Sequence, residues 1–297
     1  MTSAFDAFAR RFEEIAAPFF GEFERTRTAE PELTEKLGEK MLGWANAALG
    51  PSYEDRLIKG YCFFVIDAHR EQRRYETRRR YRYDNFAEVY EKAYSNQEFM
   101  DLYHWGVYTA TFVWLHHLKI YRFFEEAFLP ELEPDQKGQL LDLGAGSGIW
   151  HLLALERLRD WAVTAVDVSQ PSIVMSARMA ATLPFTAQIE HVCDNAVRWA
   201  SPKAFDAGIS SFLLEHLERP IELLATLANA LKPRAHAFLT CAVTAAETDH
   251  IFEFKHESEV ISLLEQAGFR VKQMLSAAPA TARADSRYLP RSMALVV

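Results

Sequence analysis

The stretch LLDLGAGSGIW, residues 140–150, decides the fold class of this chain. Its first four residues have the mostly apolar composition of a buried strand, and a helical pattern follows the stretch. Between the two lie Gly144, Gly146 and Gly148. Glycine lets a backbone turn sharply at a strand end and approach a ligand closely, while the next helix points free N–H groups at the same place. The stretch therefore predicts a nucleotide-binding turn.

The spacing of these glycines and one carboxylate restrict the ligand. The pattern is G-x-G-x-G, not the G-x-G-x-x-G of dinucleotide sites. Asp142 stands two residues before the first glycine, where it would repel a pyrophosphate and attract an amino-acid ammonium group. We therefore expect a ligand that carries a positive group and no phosphates.

Short apolar runs recur at helix-length spacing in the second half of the chain. Strands that alternate with helical segments predict an α/β fold with a parallel sheet. The runs are QLLDLG, AVTAVDV, AQIEHV, FDAGISS, AHAFLTCAV, FRVKQML and SMALVV.

The first half shows helical periodicity only. The segment FARRFEEIAAPFFGEFER would place Phe8, Phe12 and Ile15 on one helix face. A turn-rich joint, LPELEPDQKG, then precedes the change of pattern. We therefore expect a helical N-terminal lid and substrate region over residues 1–134 and a cofactor-binding domain over residues 135–297.

Composition excludes several classes of protein. The net charge of -8 argues against a chain whose affinity comes from neutralising phosphates of a nucleic acid. No run of about 18 uncharged apolar residues is present, and the start MTSAFDAFARRFEE carries acids where a signal peptide needs a basic end and an apolar run. We therefore expect a cytoplasmic protein with a small-molecule partner and neither nucleic acid nor membrane as a partner.

From about Gln139 onward the sequence resembles the class I S-adenosylmethionine-dependent methyltransferases. Asp167 ends the second expected strand about 20 residues beyond the last glycine, where a carboxylate can accept both ribose hydroxyls. Asp194, followed by Asn195, comes after the third strand, where the family binds the adenine amine. The segment FDAGISSFLLEHL looks like the family's fourth strand, with Phe212 and His216 facing the cofactor or the transferred group.

The resemblance implies a Rossmann-like, seven-stranded, mostly parallel sheet with helices on both faces, preceded by an all-helical lid. It implies S-adenosylmethionine as the cofactor. The residues expected to bind it are Asp142, Gly144, Gly146, Gly148, Asp167, Asp194, Asn195 and Phe212.

Aromatic side chains are concentrated in the last helices before the joint, above all in YHWGVYTATFVWLHH, residues 103–117. An aromatic stripe at helical spacing is typical of a core. Because a sulfonium is a cation, rings of Tyr90, Tyr94, Trp105 and Tyr108 could instead form a cage around it. Both interpretations stay open at this stage.

Candidate catalytic groups lie near the expected carboxyl edge of the sheet. A histidine there can accept a proton from a nucleophile, and His250 stands in the loop TAAETDHIFEF beside Asp249, which could orient it or contact the substrate. His216 is the second candidate base, and Tyr108 offers a phenol that could hydrogen-bond a substrate.

We expect no metal site. The reason is that no carboxylate or cysteine completes a ligand set with the three histidines of the aromatic stretch, which are His104, His116 and His117.

The basic stretch HREQRRYETRRRYRY is typical of a solvated helix face. Alternatively, one of its arginines could bind a substrate carboxylate, or several could contact an acidic carrier protein.

We therefore expect a methyltransferase that acts on a small, amino-acid-like or natural-product substrate. One alternative is suggested by the aromatic lid, which is reminiscent of bacterial enzymes that cyclise S-adenosylmethionine to azetidine-2-carboxylate and release methylthioadenosine. Another is a non-catalytic cofactor-binding module.

Overall fold

The computed structural model describes residues 3–132, 137–201, 203–281 and 288–297. The boundary expected at residues 134 and 135 lies outside the described residues. Helices occupy the chain before the sheet: α1 (Ala4–Ala29), α2 (Pro31–Leu49), α3 (Tyr53–Arg78), α4 (Phe86–Val89) with a π-helical turn (Tyr90–Tyr94), α5 (Gln97–Val113), and α6 (Leu115–Phe123) with a second π-helical turn (Phe124–Phe128).

The helical layer has an aromatic core. Phe8 and Phe12 are buried as expected, but Ile15 is 45% exposed. The helix breaks directly after Ile15, at Ala16, where φ is -144° and ψ is 40°. None of the described helices is both long and apolar enough to cross a membrane.

Helices α3 and α5 approach each other closely at two glycines. A Cβ on Gly60 would lie 2.7 Å from the Cβ of Trp105, and a Cβ on Gly106 would lie 2.5 Å from the Cβ of Phe64. Either distance is shorter than a carbon contact allows, so the pairing of these helices requires both glycines.

The second half forms one sheet, as expected. Its strands are β1 (Gln139–Leu143), β2 (Ala162–Asp167), β3 (Gln188–Cys193), β4 (Phe205–Ser211), β5 (Leu231–Val243), β6 (Gln273–Ala277) and β7 (Arg291–Val296). The strand order is β3-β2-β1-β4-β5-β7-β6, and all pairs are parallel except those of β7 with β5 and β6. The expected Rossmann-like, mostly parallel architecture is confirmed.

Helices α7 (Ile149–Leu155), α8 (Gln170–Ala180), α9 (Pro220–Ala230) and α10 (Glu257–Gln266) complete this half. Polar contacts at the start of α8 connect the N-terminal helical layer to the half of the chain that contains the sheet. Nε2 of His104 lies 3.0 Å from Oγ of Ser172, and the hydroxyl of Ser169 donates to the carbonyl of Tyr94 over 3.0 Å. These contacts hold the layer over the carboxyl edge of the sheet, where α/β proteins bind ligands.

Candidate active site

The glycine-rich turn after β1 has the conformation that its sequence predicts. Gly144, Gly146 and Gly148 have φ values of 75°, 54° and 84°, a region that residues with a side chain rarely adopt. A Cβ on Gly144 would also lie 2.6 Å from a methyl group of Leu213. Another residue at this position would both strain the backbone and collide with the segment after β4.

Asp167 lies at the end of β2, with its carboxylate turned toward the glycine turn. Its Oδ2 accepts from the N–H of Gly146 and its Oδ1 from the N–H of Ser169, each over 2.8 Å. Burial raises its pKa to about 6, and the two backbone donors act against that rise. A carboxylate has about four acceptor positions, so these two bonds leave room for ribose hydroxyls.

Asp142 begins a chain of buried polar groups that the sequence pattern did not indicate. Nδ1 of His151 lies 2.8 Å from Oδ2 of Asp142. Ser176 continues the chain, with its Oγ 3.3 Å from Nε2 of His151 and 3.0 Å from Nε2 of His191. The carboxylate of Asp142 therefore already has a hydrogen-bonding partner within the protein, which is His151.

A cavity of about 430 Å³, here called the cofactor cavity, opens beside this turn. Of the residues expected to bind the cofactor, its wall includes Asp142, Gly144, Gly146, Asp167, Asn195 and Phe212. Gly148 and Asp194 do not line it. Asp194 is exposed after β3 and accepts from the N–H of Asn195, so its contact with adenine stays a prediction.

A second cavity of about 670 Å³, here called the acceptor cavity, lies between the helical layer and the loop after β5. The walls of both cavities include Tyr103, Val107, Phe212 and His216. The two cavities therefore adjoin each other at these four residues.

Comparison with known proteins agrees with this geometry. A family model described as a methyltransferase domain matches residues 114–274, more than half of the chain. The chain belongs to this methyltransferase family. It is an S-adenosylmethionine-dependent enzyme of class I, as the sequence predicted.

Solved structures share the fold of this methyltransferase. Phosphoethanolamine N-methyltransferase 2 of Haemonchus contortus, in complex with S-adenosyl-L-methionine, is similar with a TM-score of 0.53 at 12% identity, over 71% of this chain and 59% of that chain. The cyclase SpnF gives 0.49 at 17% identity (60% and 78%), and an S-adenosylmethionine-dependent methyltransferase of Mesorhizobium loti gives 0.44 at 17% (56% and 93%). At 12% identity, the likeness to the Haemonchus contortus enzyme shows the fold alone. No curated protein matches the chain.

Phe212 lies where the two cavities of the methyltransferase meet. Its φ of 48° is unusual for a residue with a side chain, and its N–H donates to Thr240 of the neighbouring strand β5. Residues held in such conformations are concentrated at functional sites. The turn directs the chain from the end of β4 toward His216.

His216 connects the lid to the sheet. Its Nδ1 lies 2.9 Å from the hydroxyl of Tyr94 and 3.1 Å from the carbonyl oxygen of Asp249. The same hydroxyl donates to Oδ2 of Asp249 over 3.3 Å. Burial lowers the pKa of His216 to about 4, so its ring is neutral near pH 7.

His250 lies on the acceptor side of this group. Its Nδ1 is 2.8 Å from the carbonyl oxygen of Ala245, and its ring meets that of His216 edge-on at 4.8 Å between centroids. Glu215 and Glu247 line the same wall. The structure thus brings together both histidines predicted as candidate bases.

The four aromatic residues predicted to form a cage in the helical layer divide into two sets. Tyr94 lines the cofactor cavity, whereas Tyr90 is 38% exposed and lines neither cavity. Trp105 and Tyr108 are fully buried in the helical core, and the hydroxyl of Tyr108 donates to the carbonyl of Met41. Tyr90, Trp105 and Tyr108 line neither cavity, so this geometry does not support the cage role of the three or the catalytic role of Tyr108, and these roles stay predictions.

Tyr103 is the aromatic residue at the junction that sequence reasoning missed. It lines both cavities. Helical spacing alone cannot distinguish the face of α5 that carries Tyr103 from the face that carries Trp105, because both faces of this helix are apolar.

Most of the basic stretch at the end of α3 is exposed, as expected of a solvated helix face. Arg79 packs over the ring of Tyr288, with its guanidinium carbon 4.7 Å from the ring centroid. Contact with a substrate carboxylate or an acidic carrier protein stays a prediction.

Proposed function

We propose that this methyltransferase transfers the methyl group of S-adenosylmethionine to a small molecule bound in the acceptor cavity. The observation that carries the proposal is the contact between the two cavities at Tyr103, Val107, Phe212 and His216. A cavity of about 670 Å³ is in the size range of small-molecule sites and is too small for a macromolecular surface.

The reaction requires alignment more than chemical assistance. The acceptor atom displaces the methyl carbon from the sulfonium in line, so the two ligands must meet at the junction with water excluded. The layer formed by α3 and α5 covers this junction and supplies Tyr103 and Val107 to it. Amino-acid-like and natural-product molecules fit a cavity of this size.

His216 is the group best placed to take a proton when the nucleophile carries one. It lines both cavities, and burial keeps its ring neutral. Asp249 and Tyr94 orient the ring through the contacts at Nδ1. His250 lines the acceptor cavity only, so we assign it a place on the acceptor side.

Tyr94 and Tyr103 are two of the aromatic residues in the wall of the cofactor cavity, and we expect them to contact the sulfonium. A cation over an aromatic face gains roughly 0.5 to 2 kcal/mol when water is excluded. The same arrangement would serve a cyclase that folds the cofactor onto itself, so the aromatic wall alone does not choose between transfer and cyclisation.

Mass spectrometry after incubation separates these activities. We expect no turnover of S-adenosylmethionine alone and release of S-adenosylhomocysteine when a panel of amines, phenols, thiols and amino acids supplies an acceptor. Methylthioadenosine formed without any acceptor would replace this proposal with cyclisation. Absence of both products with bound cofactor would contradict both.

A further inference from the structure

The loop after β5 brings three metal-binding side chains together. One ligand atom each of Glu247, Asp249 and His250 lies within 4.8 Å of the others. Ligand atoms of Glu215, His216 and His250 also lie within 4.8 Å of one another, so the two groups share His250. Ligand atoms bound at about 2.1 Å in tetrahedral geometry are about 3.4 Å apart, so the present limit of 4.8 Å would have to shorten when an ion binds.

Two carboxylate oxygens of this cluster are buried without a donor. Oε2 of Glu215 and Oδ1 of Asp249 accept no hydrogen bond, and these residues are 0% and 1% exposed. Within the described ranges, no Lys or Arg forms an ion pair with Glu215, Glu247 or Asp249. Buried carboxylate oxygens almost always have partners, so these two require an explanation.

His250 has the arrangement of a metal-binding histidine. Its Nδ1 faces the carbonyl oxygen of Ala245 and must donate to it, which leaves the lone pair on Nε2. That Nε2 lies 3.9 Å from Oε2 of Glu247. A backbone carbonyl that fixes the tautomer in this way is the usual outer partner of a metal-binding imidazole.

We propose that Glu247, Asp249 and His250, with Glu215 beside them, bind one divalent transition-metal ion. Carboxylates combined with an imidazole favour Mn²⁺, Fe²⁺ or Zn²⁺ over Mg²⁺ or Ca²⁺. The expectation of no metal rested on the histidines of the aromatic stretch, which lack a carboxylate partner. That expectation covered the whole chain, and the proposal departs from it at His250, because the fold brings together three carboxylates that the linear sequence leaves scattered.

The position of the site indicates what the ion does. Glu215, Glu247 and His250 line the acceptor cavity, and Asp249 lines the cofactor cavity, so the ion lies in the wall between them. A metal ion there stabilises the deprotonated oxygen or sulfur of an acceptor. This role rests on the proposed function, whereas binding of the ion does not.

Metal content and Co²⁺ absorption test the site directly. The full-length protein is stripped with a chelator, incubated with Mn²⁺, Co²⁺ or Zn²⁺, dialysed and analysed by mass spectrometry for metal. We expect about one equivalent per chain and visible Co²⁺ bands. Glu247→Gln and His250→Gln should each weaken metal binding at least tenfold.

His116→Gln is the matched control. His116 is also buried and lines the acceptor cavity, but it lies outside both groups, so this variant should keep the wild-type metal content. Circular dichroism checks that each variant folds, and calorimetry with S-adenosylmethionine checks the cofactor site separately. If the wild type retains no metal, or if the two cluster variants retain as much as it does, the proposal is wrong. The alternative occupant of the carboxylate cluster is an organic cation, for which methylammonium is the probe. The proposal is also wrong if methylammonium raises the melting temperature of the wild type and none of the metals does.

Discussion

Asp167 illustrates how a single residue connects distant parts of the fold. Its two oxygens bind the N–H groups of Gly146 and Ser169, which are 21 residues and 2 residues away in the chain. It thereby connects the glycine turn to the start of α8. A carboxylate that is held by backbone donors is already oriented for further partners.

Asp167→Ala should weaken binding of S-adenosylmethionine by about 1 to 3 kcal/mol, because charge-assisted hydrogen bonds to the ribose are lost. Isothermal titration calorimetry measures the affinity. Asp167→Asn is the control for shape, and we expect it to fall between the wild type and the Ala variant. An unchanged affinity in both variants would remove Asp167 from the cofactor site.

A comparison of Asp142→Asn with His151→Gln separates two roles of one carboxylate. If Asp142 attracts the ammonium group of the cofactor, the Asn variant should lose roughly 1.5 kcal/mol or more of binding, and the Gln variant should lose less because the carboxylate remains. Calorimetry with S-adenosylmethionine decides. Equal losses would assign Asp142 to the buried chain with His151 and Ser176 instead.

At the scale of elements, α5 and the π-helical turn before it place the lid against the sheet. Tyr94 extends from the turn to His216 and Asp249, and Tyr103 extends from α5 into both cavities. Trp105 lies one face further round the same helix and packs against Gly60 of α3. One helix therefore presents an aromatic residue to the ligands and another to the core.

Tyr94→Leu and Tyr103→Leu should each lower affinity for S-adenosylmethionine by about 1 kcal/mol more than affinity for S-adenosylhomocysteine, because only the former is a cation. Trp105→Leu is the control, since a core residue should lose stability without discriminating between the ligands. Calorimetry with both ligands and thermal unfolding provide the measurements. Equal losses for both ligands in the two tyrosine variants would exclude a contact with the sulfonium.

The contact between α5 and α8 should make stability depend on pH. Burial lowers the pKa of His104 from 6.5 to about 4 in the folded protein, so below pH 6.5 the unfolded chain binds more protons than the folded one. The contribution of neutral His104 to the free energy of unfolding is complete above pH 6.5 and is lost as the pH falls toward 4. The loss amounts to a few kcal/mol at most.

Urea unfolding at a series of pH values measures this slope. We expect His104→Gln, which retains a hydrogen-bonding group for Ser172, to flatten the loss of stability between pH 6.5 and 4. An identical slope in the wild type and the variant would show that other groups control the acid response.

At the scale of the whole molecule, two cavities share part of their walls, and we propose that the cofactor occupies one and the acceptor the other. Ala68 on α3 lines the acceptor cavity and not the cofactor cavity. Ala68→Phe should therefore block an acceptor while leaving affinity for S-adenosylmethionine within twofold. Ile66→Phe, at an exposed position of the same helix, is the control for the added ring.

Calorimetry with the cofactor and release of S-adenosylhomocysteine with an acceptor from the panel provide the two measurements for these variants. We expect a loss of at least tenfold in product release for the Ala68 variant only. A loss of cofactor affinity in that variant, or full turnover, would contradict the division into two cavities.

The sequence by itself determined the parts of this protein that local rules control. The glycine turn, the strand ends at Asp167 and Phe212 and the alternation of strands with helices follow from patterns over a few residues, because steric limits and periodic burial act at short range. The sheet followed from these patterns, and the class and the cofactor followed from the family resemblance that these residues carry.

Only the tertiary structure decided which side chains meet. Glu215, which follows β4, and His250, which follows β5, are far apart in sequence, but parallel strands bring their carboxyl ends to one edge. The choice of Tyr103 over Trp105 at the junction depends on the rotation of α5, which the close packing of Gly60 against Gly106 sets. Both depend on contacts between distant segments, and no pattern along the chain encodes such contacts.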